Sequence, residues 1–105
     1  MRDPAAGVKP PQLHIVQVDV DPAVEAAFDR WYDEVHVPAI LACPGWLSAR
    51  RYRSLEDGPK YVAVYEITGP EVYETPEFLA IKGFAEFTPH IRNFERLRLD
   101  PIDRP

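Results

Sequence analysis

Leu13-His14-Ile15-Val16-Gln17-Val18-Asp19-Val20, followed at once by Asp21-Pro22 and a run to Val35, decides the fold. The stretch is rich in β-branched residues, and alternation puts Val16, Val18 and Val20 on one face and Leu13, Ile15, Gln17 and Asp19 on the other. It reads as a first strand. Asp21-Pro22 reads as a helix start, with the carboxylate accepting orphan amide hydrogens and proline fitting the first helical position. Val24, Phe28, Trp31 and Val35 then fall in one stripe, while Arg30 and Glu34 lie well away from it. Pro38 predicts a bend near His36, and Pro44-Gly45 ends the short turn Ala39 to Cys43.

Working outward, Trp46 to Leu55 and Lys60 to Ile67 read as two strands of a hairpin turning at Asp57-Gly58-Pro59. Thr75-Pro76 starts a second helix that ends near Gly83, and Ile91 to Leu99 alternates as a last strand. Strand, helix, strand, strand, helix, strand is the split βαβ order, which predicts an α+β ferredoxin-like fold with a four-stranded antiparallel sheet and both helices on one face. The second sheet face carries apolar groups, so pairing with another copy of the chain is expected.

The length of 105 residues suits one domain, read as residues 13–105 behind a flexible proline-rich lead-in, residues 1–12. Seventeen acids against twelve Lys and Arg leave no basic stripe for a phosphate backbone, so nucleic acid is not an expected partner. A lone cysteine, Cys43, allows no internal disulfide, and no apolar run is long enough to span a bilayer. A cytoplasmic protein with no membrane partner is expected.

The residues Phe28 to Pro38 (FDRWYDEVHVP), Cys43 to Trp46 (CPGW) and Ala49 to Tyr52 (ARRY) resemble the EthD-like branch of the dimeric α/β-barrel superfamily. The shared pattern is WY-x-x-x-H-x-P, then PG and an aromatic, then A-R-R-Y. With Lys60 to Glu66 (KYVAVYE) the resemblance spans roughly Leu13 to Phe78, and it departs at Thr88-Pro89-His90, where relatives often carry Thr-Pro-Trp. The resemblance implies a homodimer whose two sheets form a barrel, with a small-molecule cleft between sheet and helices in each subunit. Its members include cofactor-free monooxygenases, lactone isomerases, polyketide cyclases, lyases and haem enzymes.

His36 leads the candidates for chemistry, because imidazole both takes and gives a proton near neutral pH. Helical spacing sets Tyr32 four residues before it and Asp33 three before, so Asp33 or Asp29 would orient the ring and Tyr32 would add a hydroxyl. The other reading has His36 capping the helix at the Pro38 bend. Alternation sends Arg50 to one face with Tyr52, and Arg51 with Arg53 to the other; a guanidinium in the cleft would grip a carboxylate or phenolate, or else pair with Glu56, Glu66 or a partner subunit. Trp31, Trp46, Tyr52, Tyr61 and Tyr65 supply either aromatic walls for a planar ligand or plain core. Gln17 and Asp19 are placed toward the cleft. His14, His36 and His90 lack metal-ligand spacing, no Gly-rich phosphate loop is present, and Cys43 reads as inert packing. Together with what the resemblance implies, these residues lead to the expectation of a cofactor-independent, metal-free enzyme of isomerase, cyclase, lyase or monooxygenase type, acting on an apolar aromatic or polyketide-like metabolite. The alternative is a non-catalytic small-molecule binding or stress-response barrel.

Overall fold

The computed structural model describes residues 10–102, so residues 1–9 of the expected lead-in lie outside it. Strand β1 (Gln12–Val20) runs down the middle of the sheet, paired with β3 (Tyr61–Ile67) on one side and β4 (Ile91–Leu99) on the other. Strand β2 (Trp46–Arg53) closes the far edge against β3. The order β2-β3-β1-β4, antiparallel throughout, is the ferredoxin-like βαββαβ arrangement. Strand β2 stops at Arg53, short of the expected Leu55, because the Ser54 amide already donates to the Lys60 carbonyl across the turn at 2.8 Å.

The first helix is three pieces on one axis: α1 (Glu25–Trp31), a π-helical turn (Tyr32–His36) and α2 (Val37–Leu41). Pro38 was expected to bend it. Pro38 has no N–H to give the carbonyl four residues back, and its ring would press on that carbonyl. The Val37 amide instead reaches back five residues to the Tyr32 carbonyl, so the helix widens for one turn. Asp21 does not cap the helix as its sequence suggested. Its carboxylate accepts from Arg92 and lies 3.1 Å from His90 Nδ1, tying the helix start to the head of β4. Thr75 does cap α3 (Pro76–Ile81), its hydroxyl accepting from the Phe78 amide. Two 3₁₀ turns, Pro70–Tyr73 and Ala85–His90, flank α3 and carry the buried Val72 and Phe87.

Strand alternation divides the sheet as expected. Val18 and Val20 with Ala63, Tyr65 and Ile67 are buried under the helices, and Phe28 is fully buried among the rings of Tyr32, Tyr61, Phe84 and Phe87. Leu13, Ile15, Val62, Val64, Leu97 and Leu99 share the opposite face, where Leu97 and Leu99 are exposed.

Gly45 fixes the entry to β2. Its φ of +85° is a left-handed conformation, and a Cβ there would collide with Val72 Cγ1 and Thr68 Oγ1. The Gly45→Ala substitution is expected to destabilise the fold by about 1–3 kcal/mol, read as a lower urea midpoint. An unchanged midpoint would mean that this turn relaxes freely.

Candidate functional site

A cavity of about 420 Å³ opens between the helices and the covered face of the sheet, within the usual range for small-molecule pockets. Strands supply its floor with His14, Val16, Trp46 and Tyr65. The widened helix supplies Tyr32, His36 and Ile40. Tyr73, Phe78 and Phe84 close one side, and Lys82, Phe94 and Arg96 stand at the rim.

The π-helical turn makes the roof. Tyr32 and His36, four residues apart on this turn, share one side of it, their ring centroids 4.9 Å apart and edge to face. Trp31, beside Tyr32, stacks on His36 at 4.8 Å, so it supports the imidazole and does not line the cavity. Among the described residues no protein group hydrogen-bonds to His36; its neighbours are rings. The hydroxyls of the cavity are paired. Tyr32 and Tyr65 hydroxyls lie 2.7 Å apart, and the Tyr73 hydroxyl lies 2.7 Å from His14 Nδ1.

Burial sets the protonation states. It pulls His36 down to about 4, and burial followed by the Arg96 charge does the same to His14. It also pushes the Tyr32 and Tyr65 phenols well up. At neutral pH the cavity therefore holds two neutral imidazoles and protonated phenols, which accept or donate hydrogen bonds without carrying charge.

The structure gathers four of the residues chosen from sequence, His36, Tyr32, Tyr65 and Trp46, and places the others elsewhere. Asp33 faces outward, its Oδ1 2.9 Å from Arg51 Nη1, with Asp29 Oδ1 at 2.7 Å on the same nitrogen. Neither carboxylate orients His36, because Arg51, stacked 4.6 Å from the Tyr32 ring, holds both. Tyr61 turns aside to donate to Glu25 at 2.9 Å. Gln17, Arg50 and Tyr52 lie on the opposite sheet face, since Gln17 and Tyr52 both register with Val62 and Arg50 registers with Val64. Asp19 is structural, accepting from the Lys60 amide and from Asn93. Cys43 is buried with its thiol against the Ala39 carbonyl. Among the described residues, no three His, Cys, Asp or Glu side chains are grouped to hold a metal ion.

Sequence reading passed over His14, Tyr73, Phe78, Phe84, Phe94 and Arg96. His14 had a usable signal, since it shares the parity of Val16, Val18 and Val20. Tyr73 and Phe84 had none, lying at turns whose path is set by tertiary contact, whereas Phe94 lies in β4 and shares the parity of Arg96.

A family model described as a domain of unknown function, DUF4286, matches residues 12–81, well over half of the sequence. The chain belongs to this family. No curated protein matches this DUF4286 chain. Solved structures do. HapK from Hahella chejuensis is 20% identical with a TM-score of 0.69, the match covering 90% of this chain and 95% of that one. The heme-degrader MhuD from Mycobacterium tuberculosis, solved with two hemes bound in its active site, is 16% identical at 0.66, covering 90% and 99%. An EthD family protein from Bacillus halodurans is 16% identical at 0.61, covering 81% and 95%. At these identities the likeness establishes the fold, and it includes the EthD branch that the WY-x-x-x-H-x-P pattern resembles. Among the described residues no helix is long and apolar enough to cross a membrane.

Two depressed histidines give this DUF4286 chain a pH signature. The unfolded rings bind protons near pH 6.5 and the folded ones only near 4, so between those values acid favours the unfolded chain. Stability is expected to hold at neutral pH and fall as pH drops from about 6.5 toward 5, above the range where carboxylates dominate. Urea midpoints across that range, with imidazole NMR titrations of His14 and His36, check this; ring titration near 6.5 would refute the burial argument.

Proposed function

We propose that the chain is a cofactor-independent enzyme acting on a small, flat, largely apolar metabolite of aromatic or polyketide-like character, with His36 moving a proton. One observation carries this: a neutral imidazole, buried and with no hydrogen-bond partner among the described residues, faces an aromatic-walled cavity whose hydroxyls are paired with one another or with His14. A histidine used as helix cap or as core would have its ring nitrogens satisfied by backbone.

The chemistry follows from the charge balance. Burial disfavours a lone imidazolium, so His36 is a weak base in the empty cavity. A proton taken from a ligand C–H or O–H leaves an enolate or phenolate beside the new imidazolium, and that opposite charge offsets the desolvation. In the Tyr32–Tyr65 pair one hydroxyl hydrogen is spent between the rings, and the acceptor's own hydrogen is left for the developing ligand oxygen. Returning the proton to another atom gives isomerisation, cyclisation or elimination; reaction of the carbanion with dioxygen gives oxygenation.

The exposed face carrying Ile15, Val64, Leu97 and Leu99 supports a homodimer formed sheet to sheet, and the lone Cys43 fits a reducing cytoplasm. Haem is the cofactor to test against, because MhuD binds it in this fold. His36 is the residue that would hold its iron, since His14 Nδ1 is engaged by Tyr73.

Deuterium uptake from D₂O into enolisable fused-ring ketones, read by mass spectrometry, tests the proposal. The wild type is expected to exceed buffer by about 10²-fold or more, and His36→Ala to fall to the buffer rate with its melting temperature within a few degrees. Equal ligand retention by both proteins with no exchange would favour a binding protein. A Soret shift on adding haem, lost in His36→Ala, would overturn the cofactor-free reading. Native mass spectrometry should show a dimer at twice the 12.0 kDa chain mass.

A further inference from the structure

The protein carries a formal charge of −5, yet among the described residues no carboxylate lines the cavity, and the charged side chains that do are cations, Lys82 and Arg96. Chance placement of seventeen acids and twelve bases would favour the opposite sign. Neither Lys82 nor Arg96 forms an ion pair among the described residues, whereas Arg51, Lys60 and Arg92 all do. Arg96 is directed inward by its register: it pairs with Val16 on the floor of the cavity, and its guanidinium carbon lies 5.7 Å from the Tyr73 ring. Tyr73 in turn holds His14 Nδ1 at 2.7 Å. The charge is felt inside, since Arg96 helps to depress His14.

We propose that the cavity selects an anionic ligand, a flat apolar body bearing a carboxylate, sulfonate or acidic enolic hydroxyl that docks on Arg96 at the rim, with Lys82 assisting. This rests on the reading of the cavity as a small-molecule site and adds the polarity and orientation of what enters it. The apolar body lies between Trp46 and Phe78 on one side and Tyr32 on the other, and the anion stays at the wet, cationic end. Such an orientation points the buried end of the ligand toward His36, away from the charge. Arg96 is then a binding residue and His36 keeps the proton.

Two dyes that share one ring system separate charge from shape: 8-anilino-1-naphthalenesulfonate and its uncharged parent N-phenyl-1-naphthylamine. The full-length wild type is expected to bind the sulfonate roughly tenfold more tightly than the parent, with the preference shrinking as salt rises. In Arg96→Gln with Lys82→Gln the preference should vanish while the neutral dye binds unchanged, and Arg96→Lys should retain part of it. Site occupancy is read from the His14 and His36 imidazole NMR signals, which both dyes should shift. Equal binding of the two dyes by wild type, or a preference that survives the double substitution, overturns the anion proposal and leaves the cavity reading standing. Failure of both dyes to move the imidazole signals overturns the cavity reading together with it.

Discussion

The missing amide hydrogen of Pro38 governs the site. An α-helix passing through residue 38 would need that hydrogen, and the helix answers by taking one turn of five-residue hydrogen bonding from Tyr32 to His36. On this turn Tyr32 and His36 lie on one side, their ring centroids 4.9 Å apart. Both side chains then face the sheet, where the Tyr32 hydroxyl meets that of Tyr65. That one bond joins the helix to the centre of β3 and sets the height of the cavity roof. His36 follows Tyr32 because edge-to-face contact with it and stacking on Trp31 leave the imidazole a single orientation.

The fold was legible because the two periods that encode it are undisturbed. Period-two alternation in Leu13 to Val20 and in Lys60 to Ile67 survives in the structure, and the helical stripe is right at Phe28, which is fully buried. Val35, placed in the same stripe, is exposed, because the π-helical turn rotates everything after Tyr32 relative to an ideal helix. The same rotation undoes the expectation for Asp33. On a uniform α-helix it sits three residues before His36 and on its side; here it swings toward Arg51. Sequence contained the cause, in Pro38, without stating whether the helix would kink, stop or widen.

The site was legible only where strand parity alone decides it. Tyr65 and His14 lie in the cavity because they share a face with the buried valines, and that parity also excludes Gln17, Arg50 and Tyr52. Those three were judged by side-chain chemistry, a guanidinium and polar groups suited to a ligand, and chemistry does not say which way a strand residue points. The other half of the wall, Tyr73, Phe78 and Phe84, comes from turns and a short helix whose positions depend on Gly45, Val72 and the Thr75 cap. No local period encodes such contacts.

What distinguishes this cavity from a core defect is the distribution of satisfied and unsatisfied polar groups. A buried hydroxyl or imidazole left alone costs on the order of 1–3 kcal/mol, and a chain with a core this small has little reserve. Tyr32 with Tyr65 and His14 with Tyr73 meet that constraint within the protein. His36 meets it differently: packed against Trp31 and Tyr32, which fix its plane, it presents its ring nitrogens to the cavity, and neither is a buried unpaired atom. A phenylalanine would fill the same slot, so packing alone does not account for an imidazole there. Under the proposed function, an incoming ligand oxygen or acidic C–H is the partner that nitrogen meets. The cations at the rim complete the same logic, since charge placed at the open end guides an anion to the cavity without burying an unpaired charge within it.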